Sequence, residues 1–202
     1  MTDQSWKTEI IAAQLEESAK TKKAILAQCM DDIVAASSLL AKSLGKKGTL
    51  LCCGNGGSAA DAQHIATELV VRMQAERPGI RAMALTTDTS IFTAASNDYS
   101  FERVFARQVE VMGNPGDVLL AISTSGNSPN VISAAKMAHQ QEMKVVVFTR
   151  KSGGDLQNHG DVVIKIPSMD TQRIQEGHIT VGHILCALIE QELFEHLRDQ
   201  NE

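Results

Sequence analysis

His64 and Glu68 stand four residues apart in the stretch LLCCGNGGSAADAQHIATELVVR, which runs from Leu50 to Arg72. On a helix that spacing puts an imidazole and a carboxylate on one face, where they can move a proton or ligate a metal. Just upstream, a short apolar strand (Leu50, Leu51, Cys52, Cys53) runs into the turn Gly54-Asn55-Gly56-Gly57. The helix that follows is expected to use Ser58 as its N-cap and Asp61 as a capping-box acid. A helix opening straight after a glycine turn aims free backbone N–H groups and the positive end of its dipole at the mouth of the turn, so an anion is the expected ligand. Glycine turns and His/Glu pairs are each common for structural reasons, and it is their adjacency that points to a site. GNGGSA lacks both the G-x-G-x-x-G dinucleotide spacing and the lysine of a P-loop, and HIATE is not the HExxH of a zinc protease.

A second polar turn repeats the arrangement. The apolar run Val118 to Ile122 leads directly into Ser123-Thr124-Ser125-Gly126-Asn127-Ser128, and Pro129 suits the first turn of a helix through Ala138. Hydroxyls and backbone amides can bind phosphate without lysine, so an acidic net charge is no objection. From Thr171 to the end the chain reads as one long helix carrying Gln175, Glu176, His178 and His183. His178 and His183 lie about 140° apart around such a helix, so one of them is structural. Glu176 is nearly eclipsed with His183, whereas Gln175 is about 80° and about 12 Å of rise away, and spacing does not choose between them.

These residues need a scaffold, and strand and helix alternate along the chain. Arg81 to Leu85, Val118 to Ile122, Lys144 to Thr149 and Val162 to Ile166 read as further strands. Alternation predicts a parallel sheet, with Val118 to Ile122 central because it is apolar on both sides. Ser5 to Leu44 is helical in character up to Gly45, too long for one typical helix, and a break is expected near Asp31-Asp32. The expected organisation is a single α/β domain over residues 46–202 and a helical arm over 1–45 that packs in an oligomer. The chain has 202 residues, 43% of them hydrophobic and 21% charged, an ordinary globular composition. A net charge of -5 with 3% aromatic residues argues against a nucleic-acid partner. No signal-peptide pattern opens the chain and no apolar run approaches the roughly 20 residues of a membrane span, so a cytoplasmic protein with no membrane partner is expected. Cys29, Cys52, Cys53 and Cys186 follow neither a C-x-x-C nor a zinc-finger spacing and read as buried free thiols.

The segments CGNGGSAADAQHIATEL, SNDYSFERVF, GDVLLAISTSGNSPNVI and RIQEGHITVGHILC together resemble the sedoheptulose 7-phosphate isomerases, also called phosphoheptose isomerases, within the sugar isomerase (SIS) group. The likeness covers essentially the whole chain in unbroken order. It implies an SIS-type three-layer sandwich: a central parallel sheet flanked by helices, with the long N-terminal helical arm. It implies conversion of D-sedoheptulose 7-phosphate to D-glycero-D-manno-heptose 7-phosphate through a cis-enediol, for the heptose of bacterial lipopolysaccharide. Carried over residue by residue, it assigns substrate contacts to Asn55, Gly56, Gly57, Asn97, Asp98, Ser123, Thr124, Ser125 and Ser128, and the acid/base pair to Glu68 and His183. It assigns one zinc per subunit to His64, Glu68, Gln175 and His183, with Glu68 and Gln175 also reaching substrate, in a homotetramer whose sites lie near subunit interfaces. A site drawn from two subunits would ease the separation of Gln175 from His183. Two rivals share the fold: a non-catalytic adaptor that binds the bacterial replication initiator protein, and the sugar-phosphate-sensing domain of a regulator. The first has no need of Glu68, His64 and His183 together, and the second wants a DNA-binding extension.

Overall fold

The computed structural model describes residues 4–74 and 76–194. Helices α1 (Ser5–Gln28) and α2 (Met30–Gly45) form the arm. They are followed by β1 (Leu50–Gly54), α3 (Gly57–Val70), β2 (Ala82–Ala84), α4 (Thr89–Asp98), a short 3-10 turn and α5 (Val104–Met112). The second half contributes β3 (Val118–Ile122), α6 (Pro129–Gln140), β4 (Lys144–Arg150), β5 (Val162–Ile166) and α7 (Thr171–Phe194). The last eight residues expected in the C-terminal helix lie outside the described residues.

All strand pairs are parallel, in the order β2-β1-β3-β4-β5. The strands β1 and β3 are buried along their whole length, as continuous apolar runs require when helices cover both faces. Because successive side chains point to opposite faces, Leu50, Cys52, Leu120 and Phe148 join one core with Ile33, Leu40, Ile65, Leu69, Leu185 and Ile189 from α2, α3 and α7. Leu51, Cys53, Leu119 and Val147 join the other with Phe105, Val109, Val131 and Ala134 from α5 and α6. The result is the expected three-layer sandwich. The four cysteines are free and buried, and burial pushes the Cys53 thiol up to about 12.

The arm bends by 71° between α1 and α2, at Cys29, two to three residues ahead of Asp31-Asp32, where the break is expected. Asp31 and Asp32 are in the first turn of α2, where negative charge is favourable. While α2 packs on α7, α1 buries only Thr21 and Ile25 and leaves Trp6, Ile10, Ile11 and Leu15 exposed. No single helix among the described residues is long and apolar enough to cross a membrane.

One local expectation fails. Ser58 is not the N-cap of α3: the helix starts at Gly57, and the capping position is Gly56, with φ of 55° and no side-chain cap. That left-handed backbone, natural to glycine, turns the chain one residue earlier and carries the Ser58 side chain into the interior, 3% exposed. Asp61 therefore does not close a capping box and instead points one oxygen, Oδ2, into a buried position without a partner among the described residues.

Candidate active site

Strand β1 crosses to β2 on one side of the sheet, and β3 crosses to β4 on the other. Their carboxyl ends are therefore neighbours at the point where the strand order reverses, where open α/β sheets bind ligands. The two polar turns seen in the sequence leave the sheet here. They are stitched together by side chains: Asn55 Nδ2 donates to Asn130 Oδ1 at 2.9 Å, and Asn130 Nδ2 donates back to Asn55 Oδ1 at 2.8 Å. Asn130 is 2% exposed and its Oδ1 also accepts from the Val131 amide at 3.0 Å. In the serine loop, the Oγ atoms of Ser123 and Ser128 are 2.9 Å apart. The Gly126 amide donates to Ser123 Oγ and the Asn127 amide to Ser125 Oγ, both at 3.1 Å. With α3 and α6 both beginning at these turns, the space between them faces two helix N-termini and a wall of neutral donors.

Along α3, the residues that could do chemistry come together with α7. Glu68 Oε1 lies 3.1 Å from His64 Nε2 and 3.3 Å from His183 Nε2, and the two Nε2 atoms are 3.1 Å apart. The side chains are 52% (His64), 41% (His183) and 15% (Glu68) exposed, so the imidazoles face outward while the carboxylate is held below them. Glu68 Oε2 is buried with no hydrogen-bond partner among the described residues. The thiol of Cys186, one turn beyond His183, is pushed up by burial first and by the Glu68 carboxylate second.

Gln175 reaches the other end of the same helix. A Cβ on Gly57 would sit 2.2 Å from Gln175 Nε2, so glycine at the first residue of α3 is what lets the amide lie there. Because α7 runs alongside α3, Gln175 lies at the turn while His183 lies at His64, so among the described residues this chain does not bring Gln175 and His183 to one point. Gln175 hydrogen-bonds to none of the three clustered residues among those described.

His178 is the structural one of the pair. It is fully buried, packs against the Phe148 ring at 5.6 Å, approaches the Thr149 carbonyl at 3.4 Å and is pushed down to about 4 by burial. Glu176 turns from His183 to pair with Arg173 at 2.8 Å. Asn97 and Asp98 close α4 and bond to each other at 2.8 Å. Asp98 lines a surface depression with Ile91, Tyr99 and Arg107, and among the described residues no hydrogen bond ties either to the serine loop or the glycine turn. Thr124 is half-buried in the serine loop.

One residue near the site, Asn130, escapes the sequence reading, and another, Asp61, is expected from it only as a capping-box acid. Asn130 follows the proline that marks the start of α6, and nothing in its spacing reveals a partner 75 positions away. Asp61 is raised to about 6 by burial, an effect the neighbouring His64 partly offsets. Its place three residues before His64 was the available signal.

The family pattern of the SIS domain matches residues 15–150, so the class of protein that sheet order and switch-point site define is a sugar isomerase domain. Among curated proteins, the phosphoheptose isomerase of Roseiflexus sp. is 50% identical over 188 residues, 93% of this chain and 95% of that one. Among solved structures, the phosphoheptose isomerase GmhA from Neisseria gonorrhoeae superposes with a TM-score of 0.86 at 43% identity, covering 91% of this chain and 98% of that one. A phosphoheptose isomerase from Francisella tularensis gives 0.89 at 39% identity, covering 92% and 98%. The chain belongs to the phosphoheptose isomerase family and is an enzyme that isomerises a sugar phosphate.

Proposed function

We propose that the enzyme interconverts D-sedoheptulose 7-phosphate and D-glycero-D-manno-heptose 7-phosphate, supplying the heptose of bacterial lipopolysaccharide. The observation that carries this reading is the convergence of Glu68 Oε1 with the His64 and His183 Nε2 atoms beside a neutral cradle of amides and hydroxyls. The phosphate is held by the backbone amides of Asn55, Gly56 and Gly57 and by Ser123, Thr124, Ser125 and Ser128, which leaves the carbonyl end of the sugar toward α3 and α7. Glu68 removes a proton from C1 of the ketose to give the cis-enediol and returns it to C2, while His183 Nε2 moves the hydroxyl proton from the C1 oxygen to the C2 oxygen. Gln175, Asn97 and Asp98 supply further hydrogen bonds to the sugar, the last two from α4.

The donor set also fits zinc. Two imidazole nitrogens and a carboxylate oxygen, all within 4.8 Å of one another, are the borderline ligands that zinc prefers. His64, Glu68 and His183 would hold one ion per subunit, with Gln175 as the fourth ligand only on turning from Gly57 toward them, and when bound the ion would supply Lewis-acid polarisation of a carbonyl oxygen. The exposed apolar residues of α1 support assembly into a homotetramer, and buried free thiols suit a cytoplasmic enzyme.

A coupled assay with sedoheptulose 7-phosphate tests the reading. Glu68→Gln and His183→Gln are expected to lose at least about 100-fold in turnover, and wild-type turnover in both variants would overturn the assignment. Metal analysis of protein purified without added zinc, together with chelator titration followed by thermal unfolding, tests the ion separately from activity.

A further inference from the structure

Helices α3 and α7 lie side by side and run in the same direction. Gln175 meets Gly57, Gly182 packs against Ile65, His183 meets His64 and Glu68, and beyond them a buried arginine joins the end of α3 to α7. The Arg77 side chain is 0% exposed. It donates from Nη2 to the Glu68 carbonyl and from Nη1 to the Leu69 carbonyl, each at 2.8 Å, and from Nε to Glu190 Oε2 at 2.9 Å. Glu190 stands on α7, seven residues beyond His183 and so on nearly the same face. Its Oε2 also accepts from the Met73 amide at 3.4 Å.

The two carbonyls belong to the last turn of α3, where helix geometry leaves acceptors without intrahelical donors. One of them is the peptide oxygen of Glu68 itself. A cation from the loop after α3 therefore satisfies the end of that helix and ties it to the helix that carries His183. Burying this charge pair is a costly way to hold two helices, since apolar residues of similar volume commonly hold them as well or better. An apolar pair cannot, however, bond to the Glu68 carbonyl and so set where its carboxylate lies.

We propose that Arg77 and Glu190 are positioning residues for the isomerisation, fixing α3 against α7 so that Glu68 and His183 stay in register across the site. The proposal rests on the acid/base reading of Glu68 and His183. The phosphate cradle lies at the opposite end of α3 and shares no hydrogen bond with the clamp among the described residues. Loss of the clamp should then lower kcat and leave KM in place.

The test compares R77M/E190M, R77K and E68Q in the sedoheptulose 7-phosphate assay, with thermal unfolding measured alongside. R77M/E190M is expected to keep a melting temperature close to wild type and a KM within about threefold, while kcat falls about 10- to 100-fold, as displaced catalytic groups do. R77K keeps the charge but lacks the fork that reaches both carbonyls and Glu190, and should lose about fivefold in kcat with KM unchanged. Wild-type kcat in a folded R77M/E190M, or a fall that merely follows the melting temperature, overturns the proposal. If that variant does not fold, R77K alone decides: wild-type kcat overturns the clamp and a selective kcat loss supports it. Full turnover in E68Q would instead sink the underlying site reading, whereas an inactive E68Q beside fully active clamp variants sinks the clamp alone.

Discussion

At the amino end of α3 the candidate binding groups are amides and hydroxyls of two loops; two turns along the same helix the candidate chemical groups are His64 and Glu68, facing His183 from α7. The loops make a neutral cradle whose shape comes from bonds inside the turns and the Asn55–Asn130 amide pair. The cluster is made of ionisable groups whose meeting depends on how two helices pack. Backbone amides hold a fixed charge distribution, so the cradle can be local. On the proposed acid/base reading, Glu68 works only at hydrogen-bond distance from a partner 115 residues away, which needs structure dedicated to holding the two together.

The largest break in this contrast is expected at the cluster. Glu68→Gln keeps the shape of the side chain and removes the proposed base, so kcat should fall about 1000-fold with a small change in KM, as steady-state kinetics would record. Gly57→Ala acts where the two regions touch. The added methyl displaces the far end of Gln175, so kcat/KM should drop about tenfold while unfolding shows less than about 1 kcal/mol of change, because a flexible amide can swing aside. An unaltered kcat/KM would mean that Gln175 does not work at that position.

Asn130→Ala attacks the cradle alone. It leaves the Asn55 amide without its buried partner, a loss of about 1–3 kcal/mol in stability, and should raise KM several-fold while kcat stays within about threefold. A fall in kcat with KM intact would erase the distinction between the two regions. The smallest functional effect belongs to His178, which should affect stability and not turnover. Its folded form titrates near 4 and its unfolded form near 6.5, so between those values the unfolded chain binds more protons. Stability contributed by the neutral imidazole is therefore complete above about 6.5 and is lost as pH falls toward 4, at about 1.4 kcal/mol per unit. Asp61, raised to about 6, works in the opposite direction below that pH. The His178 share is read from urea unfolding of wild type against His178→Leu at pH 7 and pH 5, with the variant showing the flatter profile.

Much of the molecule was legible in one dimension. Alternating strands and helices, the central position of Val118 to Ile122, the opposed faces of Cys52 and Cys53 and the proline start of α6 are all consequences of neighbouring residues, and the structure agrees with each. The α3 start was misread because a glycine in a left-handed conformation replaced the serine cap, a choice that depends on burying Ser58 and not on local propensity. The roles of Asn130, Arg77 and Glu190 could not be read, since their partners are 75, 8 to 9 and 113 to 117 positions away and leave no period in the sequence.

By itself the amino-acid sequence determined which residue types stand at the two turns and on the two helices, because side-chain spacing on a helix or strand follows from backbone geometry. Folding in three dimensions decided that α7 runs alongside α3, that His178 faces the core while His183 faces the site, and that a buried arginine ties the pair together. Those outcomes depend on packing between segments far apart in the chain, where distance along the backbone carries no information about distance in space.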